Sequence, residues 1–458
     1  MYEPQQTSSE TYPVTRRTRR IVSLLIVLSL VISLIPTSLD YLDISLRLTT
    51  DLTEGSRLRQ LQLLSLFALA GGLLYAHRSI ALASFRHVNP FLLLVALYCL
   101  ASMLWSPFPM VTLKRAIILL GLMVVSLSIV PPMGGAHQLP RVLLYTLTTI
   151  LVLSLGAVVL APHIGIDRSL GGAWRGITWQ KNLLGSAAGY ATLLWLHEWT
   201  RKELPRAACA TGVLFSLFML MMSQSATSTL LTALACAVYL YWHRRWLQDS
   251  YANQIILLGG AAVAILAVHL HYVWTGQMPT WTAITSPVAA LFDKGSDLTG
   301  RTDIWQMLML SIQQHPVLGL GYGSFWLGEG SPAQFIADEL AWMPAHGHNG
   351  YLDLLNELGA IGLTLFLAAL AWHLACLIRL MRVDRLSAAL HLAILVLILS
   401  SNMTESDFLS GTLLQNILFL FSSAAVSTRL AYLREWQTDA PPSVQTAPLD
   451  AQAPRGQP

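Results

Sequence analysis

His346-Gly347-His348-Asn349-Gly350-Tyr351-Leu352-Asp353-Leu354-Leu355-Asn356-Glu357-Leu358-Gly359-Ala360-Ile361-Gly362 opens a stretch that, after Glu357, meets no Asp, Glu, Lys or Arg until Arg379. As a helix, an uncharged run of about 20 residues crosses the roughly 30 Å of hydrocarbon in a bilayer. The polar start and apolar body predict a membrane helix whose first turn meets water. Its free N–H groups and dipole favour an anion there, and the imidazoles of His346 and His348 stand beside them.

The same pattern repeats outward from this run. The 458 residues are 54% hydrophobic and 11% charged, against roughly 25% charged in a soluble chain. Apolar blocks fall near 20–37, 57–76, 88–105, 113–131, 141–161, 183–199, 207–222, 225–242, 254–273, 351–380, 386–402 and 411–432. Arg16, Arg17, Arg19 and Arg20 before the first block set the N-terminus in the cytoplasm, because short cytoplasmic segments hold the excess of Lys and Arg. Twelve crossings then put Arg78, Arg141, Arg201, Arg244, Arg382 and Arg429 on the same side, whereas Arg57, Arg59, Lys114 and Arg115 run against the rule.

The expected fold class is an all-α integral membrane protein with about twelve transmembrane helices and one large periplasmic loop between helices 9 and 10. Residues 1–19 form a basic cytoplasmic tail and 20–273 hold helices 1–9. Residues 274–350 are the periplasmic catalytic loop, 351–432 hold helices 10–12, and 433–458 read as a disordered cytoplasmic tail. Within the loop, the apolar stretch Ile304 to Ile312 reads as an interfacial helix. Trp274, Trp281, Trp305, Trp326 and Trp342 suit the headgroup level.

Several classes are set aside. Cys99, Cys209, Cys236 and Cys376 all lie inside apolar blocks, where thiols pack rather than bind zinc. The net charge of +4 is spread over the loops and offers no face for nucleic acid. No Asp-x-Asp pair suggests a metal-dependent sugar-nucleotide site, and neither a metal nor a cofactor is expected.

The polar motifs collect in the outward loops. They are Trp174-Arg175-Gly176 followed by Lys181-Asn182, Ser223 to Ser228, Gly300-Arg301 with Trp305, His315-Pro316 running to Gly319-Leu320-Gly321-Tyr322-Gly323, and the His346–His348 run. Outward Arg175, Lys181 and Arg301 ask for an anionic partner. His348, beside Asn349 at a helix start, is the candidate base. His346 reads as a solvated loop histidine and His315 as a turn residue. Gly359 and Gly362 read as small residues that admit a neighbouring helix. Glu357 either orients His348 or belongs to a structural ion pair. Glu405 and Asp407, in the last outward connection, are candidates for the same cavity.

At these residues the chain resembles the O-antigen ligase and polymerase family of bacterial envelope glycan assembly. His348-Asn349, nine residues, Gly359, two residues and Gly362 follow the family's ligase motif. Gly300-Arg301-x-x-x-Trp305 and His315-Pro-x-x-Gly319-x-Gly321 look like its loop signature. Trp174-Arg175-Gly176 with Lys181-Asn182-x-x-Gly185 resembles the exopolysaccharide-polymerase branch, and Leu104-Trp105-Ser106-Pro107-x-Pro109 also fits.

The resemblance implies a metal-independent membrane glycosyltransferase in the bacterial cytoplasmic membrane, with its active site facing the periplasm. It would move a glycan from undecaprenyl pyrophosphate to an acceptor hydroxyl. The acceptor would be a glycan in the polymerase branch, which the Lys181-Asn182 run favours, or lipid A core in the ligase branch. His348 would be catalytic, and Arg301, Arg175 and Lys181 would bind the pyrophosphate. Asn349, Trp305, His315 and Glu357 would support them. The competing reading is a lipid-linked-glycan flippase, which would need polar groups along a path at the bilayer midplane.

Overall fold

The computed structural model describes residues 15–37, 56–130, 135–243 and 301–439. Its regular structure is helical apart from one ladder of two-residue strands. The helices are α1 (Arg16–Leu34), α2 (Arg57–Ala76), α3 (Arg78–Phe85), α4 (Pro90–Ala101), α5 (Pro109–Ser128), α6 (Gly135–Leu160), α7 (Lys181–Arg201), α8 (Arg206–Met222), α9 (Ala226–His243), α10 (Arg301–Gln314), α11 (Gln334–Leu340), α12 (Gly350–Met381), α13 (Arg385–Ser401) and α14 (Leu414–Asp439). A helix occupies every expected apolar block except 254–273. That block, the whole 274–300 stretch with Trp274 and Trp281, and residues 1–14 and 440–458 of the two tails lie outside the described residues; the last helix runs on to Asp439, into the segment expected to be disordered from 433.

Among the described residues, four helices are long and apolar enough to cross a membrane: Arg57–Ala76, Pro109–Ser128, Gln138–Leu160 and Gly350–Met381. A pair bent by 94°, Arg78–Phe85 with Pro90–Leu104, would make a fifth. α8 and α13 are apolar but only 17 residues each. Local chemistry starts several helices. Asn89 caps α4 by accepting from Phe91 N and Leu92 N, Pro90 follows it, and the Asn89 amide donates to Ala369 O at 2.8 Å, tying α4 to α12.

Two of the arginines that broke the charge rule have structural work. Arg59 donates to the terminal carbonyls Ile32 O and Ile35 O of α1, and its guanidinium sits 5.6 Å from the Trp179 ring centroid. A cation at a helix C-terminus meets both the dipole and the unpaired carbonyls. Arg115 lies over Gly323, where a Cβ would come within 2.3 Å of its Cδ. On the opposite end of the bundle, Arg141 and Arg201 pair with Glu198 and Glu203.

The loop between α10 and α12 is a small cap with its own core. Ile304, Leu308 and Ile312 recur every four residues along α10 and bury against Phe325, Trp326, Ala333 and Ile336. This corrects the interfacial reading of Ile304 to Ile312: the apolar stripe faces protein. Trp326 is likewise buried, and its indole donates to Asp353 Oδ1 at 2.9 Å. Trp342 is exposed.

α12 is broken at Gly359, whose φ of 63° and ψ of −171° lie outside any helix. The freed backbone groups are taken up by residues 316–321. Leu320 N donates to Asn356 O at 3.0 Å and Gly321 N to Glu357 O at 2.8 Å. Ala360 N donates to Pro316 O at 2.9 Å. A Cβ on Gly359 would meet Val317 O at 2.2 Å, and one on Gly319 would meet Glu357 O at 2.4 Å. The close approach expected at Gly359 is therefore made by loop backbone, not by another helix. At Gly362 the space is filled by the Leu358 side chain.

Candidate active site

The segment before α12 is stitched to the connection after α13. Asn349 accepts from Tyr351 N and Leu352 N as the α12 cap, while its own N–H donates to Ser406 Oγ at 3.1 Å. Gly350 N donates to both Asn402 O and Glu405 O. Asp353 Oδ2 accepts from Gly347 N at 2.9 Å, and Trp305 donates through its indole to Gly347 O at 2.9 Å. Asn349 and Trp305 thus hold the histidine run in place through its backbone.

Held this way, His348 takes a φ of 52°, a left-handed conformation rare for residues with a side chain. Such strain persists where the surroundings over-determine it, and it clusters at functional sites. Its N–H donates to His346 Nδ1 at 3.2 Å, and the two rings lie 4.1 Å apart.

Glu405 is the hub. Its Oε2 lies 3.7 Å from His348 Nδ1 and 3.7 Å from His346 Nε2. Its Oε1 lies 3.8 Å from the Arg301 guanidinium and accepts from Asn182 Nδ2 at 3.1 Å. Burial works to raise the Glu405 carboxyl, but His348 facing it, with His346 and Arg301 beside it, outweighs burial, and the net shift is downward. His346 is pushed down to about 4 by burial, then by His348 and Arg301, against the pull of Glu405. It is neutral at pH 7.

The sequence-named residues fall into two groups. His348 and Arg301 converge on Glu405, joined there by Asn182, the chain neighbour of Lys181. Glu357 instead accepts from Gly323 N at 2.8 Å, with the Arg115 charge acting on it. Arg175 is buried below the ladder of β1 (Ile166–Asp167) and β2 (Ala173–Trp174), and its Nε donates to Ile164 O at 2.8 Å. His315 is exposed, and its carbonyl accepts from Gly319 N, closing the turn. Sequence reading gave too little weight to Glu405, Asn182 and Asp353. The one available signal was acids at helix ends on the outward side.

His346, His348 and Glu405 also stand at metal-ligating spacing, with one ligand atom from each within 4.8 Å of the others. The hydrogen bond into His346 Nδ1, however, places that ring's proton on Nε2, the atom facing Glu405. Arg301 adds positive charge beside it. The arrangement suits a proton network better than a cation.

Asp407 borders the cluster and is pushed up to about 7 by burial and by the Glu405 charge, opposed by Ser401. Its ordinary value is near 3.9, so the folded state binds this proton more tightly than the unfolded one. Stability is full below about pH 4 and is lost as pH rises through 7. Asp407→Asn is expected to remove that slope: thermal midpoints of the two proteins should coincide below about pH 4, part by pH 5 and differ most by pH 8, with the variant higher. A parallel pH profile would contradict the raised carboxyl.

Comparison with known proteins bears on the family of the chain. Residues 211–367 match a family model described as O-antigen ligase. These two landmarks of the site, Arg301 and His348, both fall inside that segment. The chain is also 26% identical over 185 residues to the exopolysaccharide production protein ExoQ of Rhizobium meliloti (strain 1021). Both findings support the O-antigen ligase and polymerase family. The ExoQ match covers 40% of this chain and 40% of that protein, so the chain spans less than half the length of the relative it matches.

Proposed function

We propose that the chain is a metal-independent glycosyltransferase of the cytoplasmic membrane that moves a glycan from undecaprenyl pyrophosphate to an acceptor hydroxyl at the periplasmic face. In this reading residues 274–350 form the periplasmic loop, and the full set of twelve crossings brackets it. The observation that carries the reading is the Glu405 hub, which brings a strained histidine and an arginine to one carboxylate.

The chemistry follows from the residues. His348 Nδ1 is buried without a hydrogen-bond partner, and Glu405 Oε2 faces it. A short closure lets Glu405 accept the Nδ1 proton, leaving the Nε2 lone pair for the acceptor hydroxyl; such contacts are often long before substrate binds. The hydroxyl oxygen attacks the anomeric carbon, His348 Nε2 takes its proton, and the pyrophosphate departs with the electron pair of the broken C–O bond. Arg301 stabilises the charge that develops on the leaving oxygens. Lys181 is proposed to extend that binding along the donor; Arg175, buried and donating to Ile164 O, would join it only with a rearrangement of its loop.

The exopolysaccharide relative favours polymerisation of repeat units, and the family description favours ligation to lipid A core. One assay separates them. Purified protein in detergent with EDTA and an undecaprenyl-pyrophosphate oligosaccharide is expected to release undecaprenyl pyrophosphate and build a glycan ladder. Release that requires added lipid A core would make it a ligase. Absence of release in both arms from folded protein would overturn transfer and leave the flippase reading.

A further inference from the structure

The backbone of a residue is fixed when the peptide planes on either side of it are fixed. His348 sits between two such planes, and side chains hold both. On its N-terminal side Gly347 O accepts from the Trp305 indole at 2.9 Å. On its C-terminal side Asn349 N donates to Ser406 Oγ at 3.1 Å. One carboxylate stands behind both flanks. Asp353, 8% exposed, accepts from Gly347 N through Oδ2 at 2.9 Å, and the Ser406 hydroxyl faces the same group. Its Oδ1 accepts from the Trp326 indole at 2.9 Å, which anchors the carboxylate to the core of the cap.

There is no spare room at Gly347. A Cβ there would stand 2.5 Å from Asp353 Oδ1 and 3.0 Å from Leu308 Cδ2. An acid in the first turn of a helix ordinarily answers the dipole, and Asn349 already caps α12. Asp353 instead turns both oxygens to groups outside that helix, Gly347 N before the cap and the Trp326 indole. Trp305 lies one turn beyond Arg301 on α10, so the same grip sets the arginine helix against the histidine.

We propose that Asp353 is the positioning residue of His348: through Gly347 on one flank and Ser406 on the other, it sets the left-handed φ of 52° that turns the imidazole to Glu405. The role rests on the glycosyl-transfer reading above, and it adds the group that aims the base.

Asp353→Asn keeps the shape but sets an NH2 group against either Gly347 N–H or the Trp326 N–H, since an amide has one oxygen. kcat is expected to fall about 10²-fold, the cost of misplacing a reacting group by about 1 Å, with the donor KM nearly unchanged. A double variant separates aiming from folding. In a His348→Asn background no imidazole is left to aim, so Asp353→Asn should lower kcat no further. A fall of equal size in both backgrounds would make Asp353 a stabiliser of the cap and overturn the proposal. Ser406→Ala, a milder change on the other flank, is expected to show the same dependence on His348 with a smaller fall. Hydrogen exchange of the full-length protein in detergent needs no turnover. In Asp353→Asn the amides of 346–350 are expected to exchange faster, while those of 385–401 keep the wild-type rate. Unchanged exchange at 346–350 would overturn the clamp in an active enzyme as in an inactive one. If the wild type transfers no glycan, the transfer reading fails by itself, and the exchange result still decides the clamp.

Discussion

Replacing His348 with Asn is expected to lower kcat for glycan transfer by about 10²–10⁴-fold, the usual contribution of a positioned general base. Asn is chosen because it tolerates positive φ, so the φ of 52° at this position survives and the loss reports the imidazole itself. KM for the lipid-linked donor should change little, since the proposed mechanism gives the pyrophosphate to Arg301 and not to His348. Glu405→Gln should give a smaller fall, because an amide still meets Nδ1 but supplies no charge to the imidazolium that forms. Undecaprenyl pyrophosphate release, measured with thermal unfolding as a control, decides the matter. A folded His348→Asn protein that turns over at the wild-type rate would remove the base from the mechanism.

That expectation could be framed from the sequence because His348-Asn349 at a helix start carries its own physics. The Asn cap, the exposed N–H groups and the apolar body are local features, and local features survive translation into structure. Positions of the apolar blocks were legible for the same reason. What failed to show was anything set by contacts between distant segments. Glu405 could be named from the sequence as a candidate for the cavity but not as its centre: it lies 57 residues after His348 in the numbering, and its place depends on Gly350 N meeting Asn402 O across two helices. The Ile304–Ile312 stripe announced an amphipathic helix but not what it faces; a membrane surface and the Phe325–Trp326 core satisfy the same periodicity. Glycine was ambiguous in the same way. Spacing of i, i+3 on an apolar helix fits helix packing, yet a glycine can also be the point where the helix stops.

Gly359→Ala tests that last distinction. The φ of 63° and ψ of −171° at Gly359 lie in a region open essentially to glycine alone, costing a side-chain residue about 1–3 kcal/mol. The added methyl also meets backbone, Val317 O at 2.2 Å and Gly319 N at 2.6 Å. Neither can swing away, and overpacking adds roughly 1–3 kcal/mol. A loss of about 2–6 kcal/mol in stability is expected on these two counts, read as a lower thermal midpoint in detergent. Gly362→Ala is the internal control. Its methyl would meet the Leu358 side chain, which can change rotamer, so the loss should be smaller. The consequence extends to the site, because residues 316–321 dock on the break and the cap they lead into carries Trp326, which holds Asp353 and through it Gly347. Gly359→Ala should therefore weaken transfer without touching any group proposed to meet substrate. If Gly362→Ala proved the more damaging of the two, helix packing and not loop docking would be the reason for both glycines.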